Sequence, residues 1–414
     1  MRTAILKRAL AALLACTVGS TLSGCGSSAP EATDTVTIGL LLPFTGADSA
    51  TTSNFERAAL FAAARVNEAG GIGGKQLRIV SQDTHSELAA SRRSVQRLID
   101  SGAKVVVGPE SAAIAPELFP LLLDNQVALL SPLVGAGEDP SFDCKLPWFR
   151  LAPSAKGLGE SLAKRMSLNG VKSIAIVSAN DAYNDALSAA VAEKFELLGG
   201  KVVRVSKINP EAQSYADVVR SVVESEATAV VLATSARAGA LVVNEFDALS
   251  TTQLAWYLSP LLKTELLIAN VAPGALDGAQ GVAPKLYDRS AGFPDAFAAR
   301  WQGDQPLEGA YFFYDAIALL AFALEKSAAA DSIGGAVNGG LSRLVSSVRS
   351  SATPTGVGVG WNEIEAGLSG IRDGQQIYYT GLTGPMLLTA CGDRKTATTS
   401  SFSIANGQIV TANQ

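Results

Sequence analysis

Residues 104–131, reading KVVVGPESAAIAPELFPLLLDNQVALLS, carry the feature that most constrains the fold: two short apolar runs separated by a polar turn and a helix-length stretch. Val105, Val106 and Val107 are β-branched, and Gly108-Pro109 stops the run. Ser111 stands at a helix N-cap position, so the backbone NH groups of Ala112 and Ala113 have no partner inside the helix. Such a turn accepts an anion. In an open parallel sheet it lies at the carboxyl edge of the strands, where these folds bind ligands. The next strand, residues 127–130, ends at the same edge in Ser131-Pro132, a second polar turn. The same residues also read as an ordinary capped turn with no ligand.

Alternation of this kind runs through the chain. Strands are expected at residues 36–42, 77–80 and 104–107, with helices at 54–69 and 86–101 between them. Gly70-Gly71 ends the first helix, where the backbone turns left-handed. The pattern restarts with strands at 173–177, 202–206 and 229–233 and helices at 185–198, 215–224 and 238–249. Strand-helix-strand repetition implies right-handed crossovers and parallel sheets. Two such units in one chain suggest two lobes facing a cleft, with Ser235 following a strand end toward it. Further on, residues 312–326 form an apolar core helix, residues 328–340 a loose connection, and 386–389 and 401–404 two late strands.

The amino terminus reads as a sorting signal. Arg2, Lys7 and Arg8 precede an apolar stretch too short to span a membrane, and small residues follow. Leu22-Ser23-Gly24-Cys25 matches a bacterial lipobox, in which the cysteine is lipidated and becomes the first mature residue. Residues 1–24 are then the signal peptide and 25–34 a flexible tether to a membrane. Cys16 leaves with the signal and Cys25 carries lipid, so Cys144 and Cys391 remain for one disulfide in an oxidising compartment.

Composition excludes several classes of function. There are 33 basic and 38 acidic side chains, a net charge of −5, and no basic run beyond Arg92-Arg93. Nucleic acid is therefore not an expected partner. One histidine, His85, and no paired-cysteine spacing argue against a metal site. No G-x-S-x-G elbow, P-loop or dinucleotide fingerprint is present, so neither enzyme activity nor a cofactor is expected.

Seven short segments then occur in a familiar order: Gly39-x-x-x-Pro43-x-Thr45-Gly46; Asn67-Glu68-Ala69-Gly70-Gly71-Ile72-x-Gly74; Val107-Gly108-Pro109-x-Ser111; Leu130-Ser131-Pro132; Phe149-Arg150-x-Ala152-Pro153-Ser154; Tyr314-Asp315-Ala316; and Gly381-x-Thr383-Gly384-Pro385. With them the chain resembles the substrate-binding proteins of branched-chain amino acid ABC transporters, the type I periplasmic binding proteins that include the Leu/Ile/Val-binding protein. The resemblance implies a two-lobed α/β fold, each lobe a mostly parallel sheet flanked by helices, with three hinge crossings near residues 150–154, 282–285 and 379–384. Residues 35–152 and 285–381 would form the N-terminal lobe, and 153–284 and 382–414 the C-terminal lobe. It also implies that a ligand carboxylate meets the turns at 108–113 and 131–135, the latter including Gly135, with Tyr183 of the second lobe packed over it. The loop carrying Asp48, Ser49 and Thr51 would rim the cleft.

Departures from the family's pattern bear on the ligand. Ala112 replaces a serine, the threonine usual after Ser131-Pro132 falls near Gly135, and the acidic residue that meets a ligand ammonium falls near Leu261. A less charged or larger ligand than a branched-chain amino acid is therefore expected. The implied function is a lipid-anchored receptor delivering a small amino-acid-like or carboxylate solute to ABC permease subunits. The alternative is an envelope lipoprotein of the same fold that binds and regulates a protein partner.

Overall fold

The computed structural model describes residues 35–46, 49–111, 114–135, 146–287, 292–332, 340–395 and 399–411. Of the residues singled out above, Cys25, Asp48, Ala112, Ala113 and Cys144 lie outside these. The first sheet contains β1 (Thr35–Leu42), β2 (Gln76–Asp83), β3 (Val105–Val107), β4 (Ala128–Ser131) and β5 (Trp148–Arg150) in the order β2-β1-β3-β4-β5. Every pairing in it is parallel, with registers such as Gly39 to Val80 and Gly39 to Val106. Ile38 and Leu40 to Leu42 are fully buried. Continuous rather than alternating apolarity is what a parallel strand covered on both faces requires.

The second sheet is built from β6 (Ser173–Ala179), β7 (Lys201–Ile208), β8 (Ala229–Ala233), β9 (Ala255–Leu258) and β10 (Gln280–Pro284). These five are mutually parallel in the order β7-β6-β8-β9-β10. A small third sheet joins β11 (Val357–Val359), β12 (Ile377–Gly381) and β13 (Gly384–Pro385). The chain then returns to the second sheet, where β14 (Thr399–Ala405) and β15 (Gln408–Thr411) add antiparallel to β10. Residues 386–389 do not form the expected strand. Leu388 makes one isolated bridge to Arg394, because residues 387–395 fold back on themselves, Thr389 NH donating to the Asp393 carbonyl and Lys395 NH to the Leu387 carbonyl, with Asp393 bridging Arg150 of β5.

Helices fill the faces. In the first lobe these are α1 (Thr52–Glu68), α2 (Leu88–Asp100) and the short α3 (Phe119–Asp124); in the second they are α4 (Ala155–Leu168), α5 (Ala182–Leu197), α6 (Ala216–Glu224), α7 (Ala236–Leu249) and α8 (Glu265–Asn270). Then come α9 (Phe293–Arg300), α10 (Glu308–Ser332), α11 (Gly340–Ala352) and α12 (Ile364–Arg372), which pack back on the first lobe and share one core with β1, β3 and α1. Separate clusters fill the two faces of the second sheet. The helix α1 runs to Glu68, and Gly70 and Gly71 take the left-handed backbone expected of its end, at φ 89° and 74°.

The longest element, α10, exceeds its sequence expectation at both ends. It begins at Glu308 and takes in residues 328–332 of the stretch expected to be loose. From Ala310 to Ala323 every residue is buried, apolar but for Asp315, and Phe313 stacks on Phe55 of α1 at 5.2 Å. A helix apolar all round belongs inside a core. Among the described residues no helix is long and apolar enough to cross a membrane.

Near the far end of α10, Lys326 donates to the carbonyl of Ile377 at 2.7 Å, and burial lowers its pKa to about 8 from 10.5. A lysine depressed in the folded state leaves the unfolded chain holding more protons between those values, so its contribution to stability rises with pH there. Burial holds Tyr183 and Tyr314 protonated, and tyrosines ionising in the unfolded chain above about pH 10 act in the opposite sense. Folding stability is therefore expected to rise from pH 8 to about 9.5, and Lys326→Met to remove most of that rise. Urea unfolding at both pH values measures it.

Candidate functional site

A cavity of about 390 Å³ lies between the two lobes. Its walls come from the carboxyl ends of strands in both sheets. Glu110 follows β3, Leu133 to Gly135 follow β4, and Ala152 and Pro153 follow β5. From the second lobe, Asp181, Tyr183 and Asn184 follow β6, Pro260, Leu261 and Lys263 follow β9, and Ala283 and Pro284 end β10. The first turn of α10 closes one side with Glu308, Gly309 and Phe312, beside Phe55. Strand order reverses at β1 in one sheet and at β6 in the other, which opens the edge to a ligand.

Asp181 explains why α5 starts earlier than residue 185. Its carboxylate accepts from the backbone NH of Asn184 at 2.9 Å and from the Asn184 side chain at 2.8 Å, a cap that sets the first helical turn against the cavity. Tyr183 sits in that turn, and burial, with Asp181 nearby, pushes its phenol up. The phenol therefore stays protonated throughout the physiological range. Gly135 lies where a Cβ would run into the carbonyl oxygen of Pro153. Only glycine lets the turn after β4 lie against the chain leaving the lobe.

The other singled-out residues take structural positions. Ser131 is fully buried, donating to the carbonyl of Gly108 at 3.2 Å and accepting from the Trp148 indole at 2.9 Å. Ser235 caps α7, its hydroxyl accepting from Ala238 NH at 3.4 Å. Neither is part of the cavity wall. Ser111 is next to the wall residue Glu110 but does not cap an α-helix. Its carbonyl accepts from Ile114 and Ala115, a 3-10 turn follows at Ala115–Leu118, and α3 starts only at Phe119, with a proline at each start. Ser49 and Thr51 form a 3-10 turn and do not line the cavity.

Residue reasoning missed Glu110, Asp181, Lys263 and Glu308, the charged groups of the wall. Lys263 could have been found by extending attention two positions past Leu261. Glu308 could not, because the apolar run that signals α10 starts at Phe312, one turn later. Lys263 Nζ lies 3.0 and 3.2 Å from the two carboxylate oxygens of Glu308. This ion pair joins the lobes across the cavity. Among the described residues no group of histidine, cysteine or acidic side chains is arranged to hold a metal ion.

Beneath the cavity, the segments crossing between lobes are tied to one another. Arg394 donates to the carbonyls of Leu151, Thr383 and Pro385 and to the Thr383 hydroxyl. Asp315 of α10 accepts from Tyr379 OH, Leu382 NH, Thr383 NH and Thr383 OH, all at 2.7–2.8 Å. Tyr287 NH donates to the Leu382 carbonyl at 2.7 Å. All three crossings therefore meet in one hydrogen-bonded knot.

The sequence pattern of the family described as periplasmic binding protein matches residues 35–342. The chain belongs to this family. As a periplasmic binding protein it is 28% identical over 122 residues to the Leu/Ile/Val-binding protein BraC3 of Rhizobium johnstonii, covering 30% of this chain and 33% of that one. It is 26% identical over 186 residues to Leu/Ile/Val-binding protein homolog 4 of Brucella abortus, 43% and 44% of the two chains. The matched region thus spans less than half the length of these relatives. Likeness of fold extends much further. The leucine binding protein LivK of Thermotoga maritima superposes with a TM-score of 0.73 at 17% identity, over 91% of this chain and 98% of that one. The branched-chain amino acid binding protein LivJ of Streptococcus pneumoniae, in complex with isoleucine, gives 0.71 at 16%, over 92% and 100%. A solute binding protein of R. palustris in complex with benzoate gives 0.71 at 16%, over 92% and 96%. The two-lobed type I fold expected from the sequence is the fold of this periplasmic binding protein.

Proposed function

We propose that this periplasmic binding protein is the extracytoplasmic receptor of an ABC importer and encloses a small amino-acid-like or carboxylate solute between its lobes. The observation that carries this reading is the cavity itself. It is walled by strand ends of both sheets, and its lining is mostly apolar. Similar folds crystallised with isoleucine and with benzoate support a solute of that size. Residues 35–152 and 285–381 form one closing lobe and 153–284 and 382–414 the other, and hinge closure hands the solute to permease subunits. Gly135 and Tyr183 face the solute, with Ser111 beside the wall residue Glu110.

A lipidated Cys25 moors the protein to a membrane through the tether at 25–34, and Cys144 pairs with Cys391. Intact-mass and non-reducing peptide mapping check both: an N-terminus other than acylated Cys25, or free thiols at 144 and 391, removes them without touching the receptor reading. That reading is tested by thermal-shift screening of the full chain in detergent against amino acids, amides and small organic acids. A solute at 100 times its Kd stabilises by about 2.7 kcal/mol. Stabilisation by at least one such solute is expected, and none by any of them contradicts the proposal.

A further inference from the structure

Charge is spread unevenly over the cavity wall. Among its described residues Lys263 is the one cation, and Glu308 holds it with both carboxylate oxygens, at 3.0 and 3.2 Å. The Lys263 side chain is only 8% exposed, so this pair is closed and neutral. Glu110 is engaged within the protein. The start of α5 is different. There Asp181 accepts from the backbone NH and the side-chain nitrogen of Asn184, both uncharged donors, and among the described residues it has no cation as partner. The helix start offsets only about half of its negative charge. Asn184 lines the cavity at 3% exposure, and because its side-chain nitrogen donates to Asp181, the remaining side-chain atom is the oxygen. That oxygen accepts no hydrogen bond. A buried acceptor left without a donor is costly. Tyr183, between the two in sequence, lines the same wall. Carboxylate, amide oxygen and aromatic ring all attract positive charge.

We propose, resting on the receptor reading above, that Asp181, Tyr183 and Asn184 form a cation subsite, and that an ammonium on the solute, not a carboxylate, is the charge by which the cleft holds it. An ammonium brings three N–H donors. One satisfies the Asn184 side-chain oxygen, and the positive charge balances Asp181. A carboxylate in the same place meets Asp181 as a like charge and leaves Asn184 without a donor. The cation that could neutralise it, Lys263, already holds Glu308, and parting that pair would strand a buried charge. The apolar body of the solute lies against Val134, Leu261 and Phe312. Leu261 then has a reason to be apolar, because the counter-charge for the ammonium comes from the start of α5 instead.

Matched ligands separate the two charges. Isothermal calorimetry on the full chain in detergent, at neutral pH, compares leucine with 3-methylbutylamine, which lacks only its carboxylate, and with 4-methylpentanoate, which lacks only its ammonium. Phenylalanine, 2-phenylethylamine and 3-phenylpropanoate form a second series. In at least one series the amine is expected to bind about tenfold or more tighter than the acid, and about as tightly as the amino acid. Asp181→Asn removes the charge but keeps a side chain that caps α5, and is expected to cut the ratio of amine to acid affinity about tenfold. Loss of the cap alone would weaken all three ligands together and leave that ratio unmoved. Asp181→Ser, which also caps, is the second variant should Asp181→Asn fold poorly. Acids binding as tightly as their amines overturn the inference, as do amino acids binding about tenfold or more tighter than their amines, failure of both amines to bind, or an unchanged ratio in the folded variant. In each of those cases a thermal shift with any other solute leaves the receptor reading standing, whereas no shift with any solute removes both.

Discussion

Asp315→Ala is expected to cost about 3–5 kcal/mol of folding stability, read as a fall in the urea midpoint. Asp315 is fully buried and accepts four hydrogen bonds, from Tyr379 OH, Leu382 NH, Thr383 NH and Thr383 OH. Burial pushes its carboxyl up, and these donors act against that shift. Removing the carboxylate leaves donors in the third crossing without an acceptor, and each orphaned buried donor carries about 1–3 kcal/mol. Arg394 also loses the nearby negative charge that offsets its own burial. Tyr379→Phe removes one donor and keeps the carboxylate, so it should cost only about 1 kcal/mol. A loss below that value for Asp315→Ala would mean that the crossings are held by packing rather than by this knot.

Gly135→Val is expected to weaken solute binding about tenfold or more while leaving most of the fold in place. The glycine lies where a Cβ meets the Pro153 carbonyl oxygen, and both residues line the cavity. The obstacle is backbone, so no side chain can swing aside. Relief has to come from moving the turn after β4 away from the first crossing, which deforms the first-lobe wall. Calorimetry with whichever solute gives the largest thermal shift measures the effect. Leu168→Ser, at an 85% exposed position outside the cavity, is the control and should bind as the wild type does. Equal affinity for Gly135→Val and wild type would show that the solute does not touch this wall.

Much of the fold was legible because parallel sheets leave strong marks in sequence. Val105 to Val107 and Ala229 to Ala233 are continuous apolar runs between breakers, and they are central or near-central strands here. The double glycine at 70–71 announced a helix end that the structure contains. Where the reading went astray, the cause was a local signal with two meanings. Ser111 follows a strand and precedes apolar residues, yet Pro116 and Pro120 break the run into a 3-10 turn and a six-residue helix. Ser235 has the right place after a strand, but its hydroxyl serves the cap of α7. Segment 386–389 has strand-like composition but folds back against residues 393–395 instead.

The cavity was legible only in part. Gly135 and Tyr183 came from resemblance, and both line the wall. Lys263 and Glu308 are 45 residues apart in sequence, and no local pattern announces that they meet. Their pairing depends on how the lobes face each other, which is a property of the three crossings and not of either segment.

The most direct test of the account is a crystal structure of the protein with the solute that stabilises it most. Solute density enclosed by Val134 and Gly135 on one side and Tyr183 and Leu261 on the other is the predicted result. Solute bound on an outer face, with the space between the lobes taken up by the protein's own side chains, would contradict it.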